Sequence, residues 1–264
     1  MLTTLKRHPV PIDAHFEDCL VLTYAMRPET LVPFLPSGLA LDTHRGLGML
    51  AIAMVQARAL RPSGFPRFLG RDFFLAGFRI FTKLDVPGEP ARRGLRILQS
   101  LTDRPAMRVF GNLLTHYNYG PCHVHRRRTD RGLEIALDTP NGNADLRVSA
   151  DLSGPALKPP DGSPFADLSE ARRFAGPLPL TFDYEAATHS IVVIRGAREH
   201  WEPLAVRVEV SMNRFLQRAC FRDAGAVLAN AFFVSDVSYH WGRGIRLPLA
   251  RPSTSAAVGP GGVP

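Results

Sequence analysis

Lysine is scarce in this 264-residue chain: only three of its 32 lysine and arginine residues, Lys6, Lys83 and Lys158, are lysine. Any chemistry that needs a lysine amine is therefore restricted to three positions. Cysteine is also sparse. Cys19, Cys122 and Cys220 are odd in number, far apart and without a Cys-x-x-Cys pair, which excludes a disulfide framework and a zinc-ribbon spacing and points to reduced thiols and a cytoplasmic location. No apolar run is long enough to span a bilayer. The most apolar stretch, Leu47 to Leu60, is broken by Gln56 and Arg58, so no membrane partner is expected. The Lys6-Arg7 pair leads into prolines and carboxylates rather than an apolar segment, and a signal peptide is not expected.

The formal net charge is +8. The cations are scattered, and only Arg126-Arg127-Arg128 forms a run, which leads into Asp130-Arg131-Gly132. A solvated hairpin tip accounts for that run, and nucleic acid is not expected as a partner. Homo-oligomer formation is left open.

Strand patterns dominate. Cys19 to Met26 is a short apolar run, and Pro28 to Leu35 reads as a short helix with proline in its first turn. Leu47 to Leu60 is apolar throughout and then alternates, as expected of a strand buried on both faces that later emerges. Phe73 to Val86 and Gly94 to Thr102 read as a strand pair, followed by a helix from Pro105 to about Leu113. A second sheet section is expected from Leu114 to Arg128, Leu133 to Asp138 and Ala144 to Leu152, with Asn141-Gly142-Asn143 as its second turn. Asp167 to Ala175 reads as a helix with Asp167 as N-cap and Glu170 in a capping-box position. Strands follow at Leu178 to Tyr184, Ser190 to Gly196, Ala205 to Ser211 and Ala226 to Trp241, with an amphipathic helix at Asn213 to Arg222. No β-α-β alternation supports a doubly wound sheet. The expected fold class is mainly β (α+β): one domain over residues 1–252, curled or closed to hide its edges, with a disordered tail at 253–264.

Five segments in order resemble one family. Leu31 to Asp42 (LVPFLPSGLALD) is similar to the entry segment of the DUF2071 (YqjF-like) proteins, and a glycine-containing strand follows it. Arg79 in FLAGFRIF lies where that family has an arginine in a Glu-x-Asn-x-Arg-Thr-Tyr strand. Gly94 to Leu101, Ser163 to Phe174 and Thr188 to Ile191 resemble the family's paired strand, its helix and its histidine-containing strand. The resemblance implies the acetoacetate decarboxylase-like fold, a curled antiparallel β-barrel or cone around an internal pocket for a small molecule, with a few short peripheral helices. It also implies a Schiff-base lysine in the relatives that decarboxylate. This chain departs there. Residues 96 to 102, where the lysine pair would fall, contain none, and Leu75, Gly77, Ile80 and Phe81 replace the family's residues around Arg79.

Three constellations could carry chemistry. Lys83 is the lysine inside a strand, and Asp85, two residues on, would raise its pKa; a decarboxylase-like lyase using Lys83 is therefore an alternative. Arg79, with Asp103, Asn112 and His189, could bind a carboxylated or carbonyl-containing ligand, with His116 and Tyr117 beside it. His123 and His125 share one strand face and could, with His116, His189 or His240, ligate a metal. Tyr117 and Tyr119 would share a face as pocket or packing residues. The leading expectation is a pocket protein that binds a small carboxylated or carbonyl compound without the lysine mechanism and without a cofactor.

Overall fold

The computed structural model describes residues 2–86, 88–176 and 178–249; the expected tail at 253–264 and the last residues of the expected domain lie outside them. The strands are β1 (Ile12–Met26), β2 (Leu39–Leu41), β3 (Thr43–His44), β4 (Leu47–Pro62), β5 (Arg71–Leu84), β6 (Arg92–Thr102), β7 (Tyr119–Pro121), β8 (His123–Arg128), β9 (Gly132–Asp138), β10 (Leu146–Asp151), β11 (Leu180–Glu185), β12 (Ser190–Arg198), β13 (Leu204–Ala205), β14 (Arg207–Asn213), β15 (Val227–Trp241) and β16 (Ile245–Pro248). Helix α1 covers Pro105–Leu114 and α2 covers Leu168–Ala175.

The main sheet runs β13-β15-β1-β4-β5-β6-β11-β12-β16, and its flanks meet where β12 pairs with β15 through Gly196–Trp241, Ala197–His240 and Arg198–Tyr239. Elsewhere the curl is loose: β6 and β11 touch through the single parallel pair Thr181–Leu95. The result is a curled sheet, not a strict barrel, because that junction lacks a continuous ladder. A smaller sheet, β14-β10-β9-β8, packs on the outside.

Alternation sorts the central strands onto two faces. Leu20, Leu22, Leu50, Ile52, Met54, Phe74 and Phe78 face outward into a core shared with the smaller sheet's Leu133, Ile135, Leu137 and Val148. Cys19, Val21, Ala51, Ala53, Val55, Phe73 and Leu75 face inward to the hollow of the curl. Both faces are buried, which is why β4 is apolar without a break from Leu47 to Val55. The outward face carries large side chains and the inward face of β4 mostly small ones. That asymmetry, not the strand pairing, leaves space inside.

Several sequence expectations change in detail. Residues 28–34 form two 3-10 turns, Pro28–Thr30 and Val32–Phe34, rather than one helix, because Pro33 interrupts the ladder. The segment from Leu114 to Arg128 is not one strand; α1 runs through Leu114, and β7 and β8 begin after a left-handed Asn118. The expected helix at Asn213 to Arg222 is a series of turns instead. Phe215 and Phe221 both enter the outer core and stack on each other at 5.1 Å. Residues six apart on an α-helix lie about 9 Å apart along the axis and about 120° apart around it, so the turns bring the two rings closer than a helix would, and packing wins over propensity. The arginine run is no solvated tip. Arg126 and Arg128 turn inward to pair with the buried Asp18 on β1, while Arg127 pairs at the surface with Glu134.

α2 begins as its sequence implies: Asp167 accepts a hydrogen bond from Glu170 N at 2.7 Å. The Glu170 carboxylate bonds back to Ala166 N rather than to the cap residue itself.

Candidate functional site

The hollow holds a cavity of about 200 Å³. β1 contributes Phe16, Cys19 and Val21, β4 contributes Ala51, Ala53 and Val55, β5 contributes Phe73, Leu75, Arg79 and Phe81, and β15 contributes Phe232, Tyr239 and Trp241. α1 and the N-terminal arm cover one end through Met107, Phe110, Leu114, His8 and Val10.

Arg79 is the central charged group. Its side chain lies back along β5 over Gly77, where an added Cβ would come within 3.1 Å of Nε and Nη2. The missing side chain at 77 thus makes the trough that holds the guanidinium. Nε is buried without a hydrogen-bond partner, and no ion pair to Arg79 forms among the described residues. A half-buried cation whose Nε is cut off from water and that has no counter-charge is costly unless a ligand supplies one. Arg198, at the end of β12, also faces the cavity and lies over the Trp201 ring at 4.8 Å; burial lowers its pKa, and the positive charge of Arg79 adds to that lowering.

Three phenols and a thiol share the cavity wall with these cations. Burial raises the pKa values of Tyr117, Tyr119 and Tyr239, and it pushes the Cys19 thiol up to about 11. All four are thus neutral donors near neutral pH, able to hydrogen-bond a ligand oxygen but not to act as nucleophiles. Asn112 fixes one of them: its Oδ1 accepts from Tyr119 N at 2.8 Å and its Nδ2 donates to Tyr119 O at 2.9 Å. Asp183 stands behind the phenols, fully buried and paired with Arg96 at 3.0 Å; burial outweighs that pairing and pushes its pKa up to about 7.

The structure separates the residues singled out from the sequence. Arg79, Tyr117 and Tyr119 line the cavity, and Asn112 acts one step behind it. Asp103 does not reach it; its carboxylate accepts from Phe74 N at 2.8 Å. His189 sits in a left-handed turn with its Nδ1 3.1 Å from the Tyr184 hydroxyl, on the far side of β11. His116 lies between the cavity residues Thr115 and Tyr117 but is not itself among the lining residues; burial lowers its pKa, with Lys6 adding to the effect. His123 and His125 are exposed on β8, and no group of three or more His, Cys, Asp or Glu side chains able to hold a metal occurs among the described residues.

Lys83 is on the same face of β5 as Arg79, beyond Phe81. Its Nζ lies 3.0 Å from Asp42, a buried carboxylate that also receives Arg93 Nε at 2.6 Å. The carboxylate beside Lys83 is therefore Asp42 and not the neighbouring Asp85. Phe81 stacks on Phe174 at 6.1 Å and stands between this cluster and the cavity.

Cys19, Arg198, Tyr239 and Trp241 were not anticipated. A usable signal existed in β4, where the inward Ala51, Ala53 and Ala57 alternate with the outward Leu50, Ile52 and Met54. A strand that is large on one face and small on the other marks a hollow.

A family model for DUF2071, described as an uncharacterized conserved protein, matches residues 13–237. Among solved structures, the chain resembles acetoacetate decarboxylase from Legionella pneumophila subsp. pneumophila str. Philadelphia 1, with a TM-score of 0.63 and 9% identity over 90% of this chain and 88% of that one. It resembles an acetoacetate decarboxylase-like enzyme from Sphingomonas wittichii RW1 with a TM-score of 0.58 and 16% identity over 92% and 94% of the two chains. The enduracididine biosynthesis enzyme MppR, complexed with the condensation product of pyruvate and imidazole 4-carboxaldehyde, matches with a TM-score of 0.62 and 13% identity over 90% and 89%. No curated protein sequence matches the chain. At these identities the likenesses establish a shared fold.

Proposed function

The chain belongs to the DUF2071 family, and we propose that it binds a small carboxylated or carbonyl-containing molecule in the interior cavity without forming a Schiff base. One observation carries this reading: the Arg79 guanidinium faces an apolar cavity with no carboxylate to pair with among the described residues. A bound carboxylate would supply the missing charge through charge-assisted hydrogen bonds. Tyr117, Tyr119 and Tyr239, kept protonated by burial, would donate to a neighbouring carbonyl or carboxylate oxygen. That arrangement can orient and polarise a carbonyl compound but offers no amine to condense with it. The structural relatives include acetoacetate decarboxylase and an enzyme complexed with a condensation product of pyruvate, and these favour the same broad ligand class.

The test combines binding with chemical trapping. Calorimetric titration with a panel of small carboxylates should show saturable binding that Arg79→Met weakens about 100-fold. Borohydride reduction in the presence of a keto acid should leave the protein mass unchanged. Binding indifferent to Arg79→Met would remove the anion-anchoring role, and a trapped adduct lost in Lys83→Ala would replace this reading with amine catalysis.

A further inference from the structure

The cavity is not uniformly polar, and the distribution of its polar groups narrows the ligand. Arg79 interacts electrostatically with each of Arg198, Cys19, Tyr119 and Tyr239, and the five cavity residues form one polar focus. Much of the remaining wall is hydrocarbon and ring: Phe16, Ala53, Phe73, Phe81, Leu95 and Phe232. The rim is apolar too. Val10 and Phe110 line the cavity and yet are 41% and 60% exposed, so the opening beneath α1 is framed by carbon, as expected of a route for an apolar body rather than for a hydrated ion.

Size sets the second limit. A dry apolar cavity of roughly 150 Å³ accommodates a benzene-sized molecule. A cavity of about 200 Å³ with one polar focus therefore suits a ring with a short charged arm. A three-carbon keto acid would satisfy Arg79 but leave the aromatic wall facing trapped water, losing the burial that each apolar carbon contributes, roughly fourfold in affinity per methylene.

We infer that the site selects a monocarboxylic acid bearing a ring-sized apolar body, of the arylalkanoic class, over short keto acids; this rests on the reading of Arg79 as the anion anchor. The carboxylate sits at the polar focus, and the body occupies the space above Ala51, Ala53 and Val55 and points toward Phe110.

Both tryptophans of the chain, Trp201 and Trp241, line the cavity, so intrinsic fluorescence reports its occupancy. Titrations with 3-phenylpropionate, pyruvate and the neutral 3-phenylpropanol separate the contributions of body and charge. We expect 3-phenylpropionate to bind at least about 30-fold tighter than pyruvate and about 10-fold tighter than the alcohol. Arg79→Met should abolish the preference for acid over alcohol. Ala53→Phe, or the milder Ala53→Leu if the first variant fails to fold, should weaken 3-phenylpropionate more than pyruvate. Pyruvate binding as tightly as the aryl acid, with both dependent on Arg79, would overturn the proposed class and keep the anion anchor. If neither acid responds to Arg79→Met, the anchor itself falls, and the inference with it.

Discussion

Arg79 and Lys83 are four residues apart on the same strand and the same face, yet they occupy opposite electrostatic situations. Lys83 shares the buried Asp42 with Arg93, whose guanidinium also lies over Phe174 at 4.4 Å. Arg79, one inward position before Phe81, pairs with no carboxylate among the described residues. A cation whose charge is answered within the protein is structural material. A cation whose charge is left for something else to answer is what the proposed function reads as a binding group. The difference arises from one residue distant in sequence, Asp42, placed beside Lys83 by the hydrogen bond from its own backbone N to Phe81 O.

Removing the answering charge should have the largest consequence. Asp42→Ala leaves Lys83 and Arg93 facing each other over a buried hole, and we expect a loss of about 3 kcal/mol in unfolding free energy, measured by urea denaturation. Adding Lys83→Met to that variant should recover part of the loss, because one of the two stranded charges is gone. A double variant no more stable than Asp42→Ala would show that the cluster does not act as an ion network.

The converse experiment makes Arg79 resemble Lys83. Leu75 lines the cavity one step from Gly77 on the inward face, so Leu75→Glu places a carboxylate within reach of the guanidinium. The internal pair should compete with ligand, and the affinity for small carboxylates should fall about 100-fold, roughly 2.7 kcal/mol. Unchanged affinity would mean that Arg79 does not carry the ligand's charge.

Asp183 and Arg96 form an intermediate case, a pair in which burial outweighs the partner. With its carboxyl pKa at about 7 against an ordinary 3.8, the folded protein holds a proton that the unfolded chain releases between those values. Stability from this group is therefore fully present below about pH 4 and is lost as pH rises through about 7. We expect the difference in unfolding free energy between wild type and Asp183→Asn to shift by about 2 kcal/mol against the wild type from pH 4 to pH 6. A difference that is flat across that window would mean that Asp183 ionises normally in the fold.

The sequence exposed one half of this picture more readily than the other. Strand positions and the two-sided burial of β4 follow from local periodicity, and the run of five motifs from Leu31 to Ile191 pointed to the family and its curled sheet. Arg79 stood out because it lies where the family has an arginine in the corresponding strand. Its isolation did not, since whether Asp103 at the end of β6 approaches it depends on the direction of one side chain, which turns instead to Phe74 N. His189 failed to join the site for a similar reason: the left-handed turn at φ 46° directs it toward Tyr184. Residues such as Tyr239 and Arg198, which reach the cavity by the β12–β15 closure, carry no local mark at all.

The smallest expected effect tests the comparison most directly. In Lys83→Met, Asp42 still has Arg93 at 2.6 Å, and the lost cation was more than one-third exposed, at 38%. Solvent already screens such a pair, so the stability change should be about 0.5 kcal/mol, near the resolution of denaturant titration. Carboxylate affinity should stay within about twofold of wild type, because Phe81 and Phe174 separate Lys83 from the cavity and the charge at Arg79 is untouched. A loss of tenfold or more in this variant, with its fold intact, would place the amine in the site and dissolve the distinction between the two cations of β5.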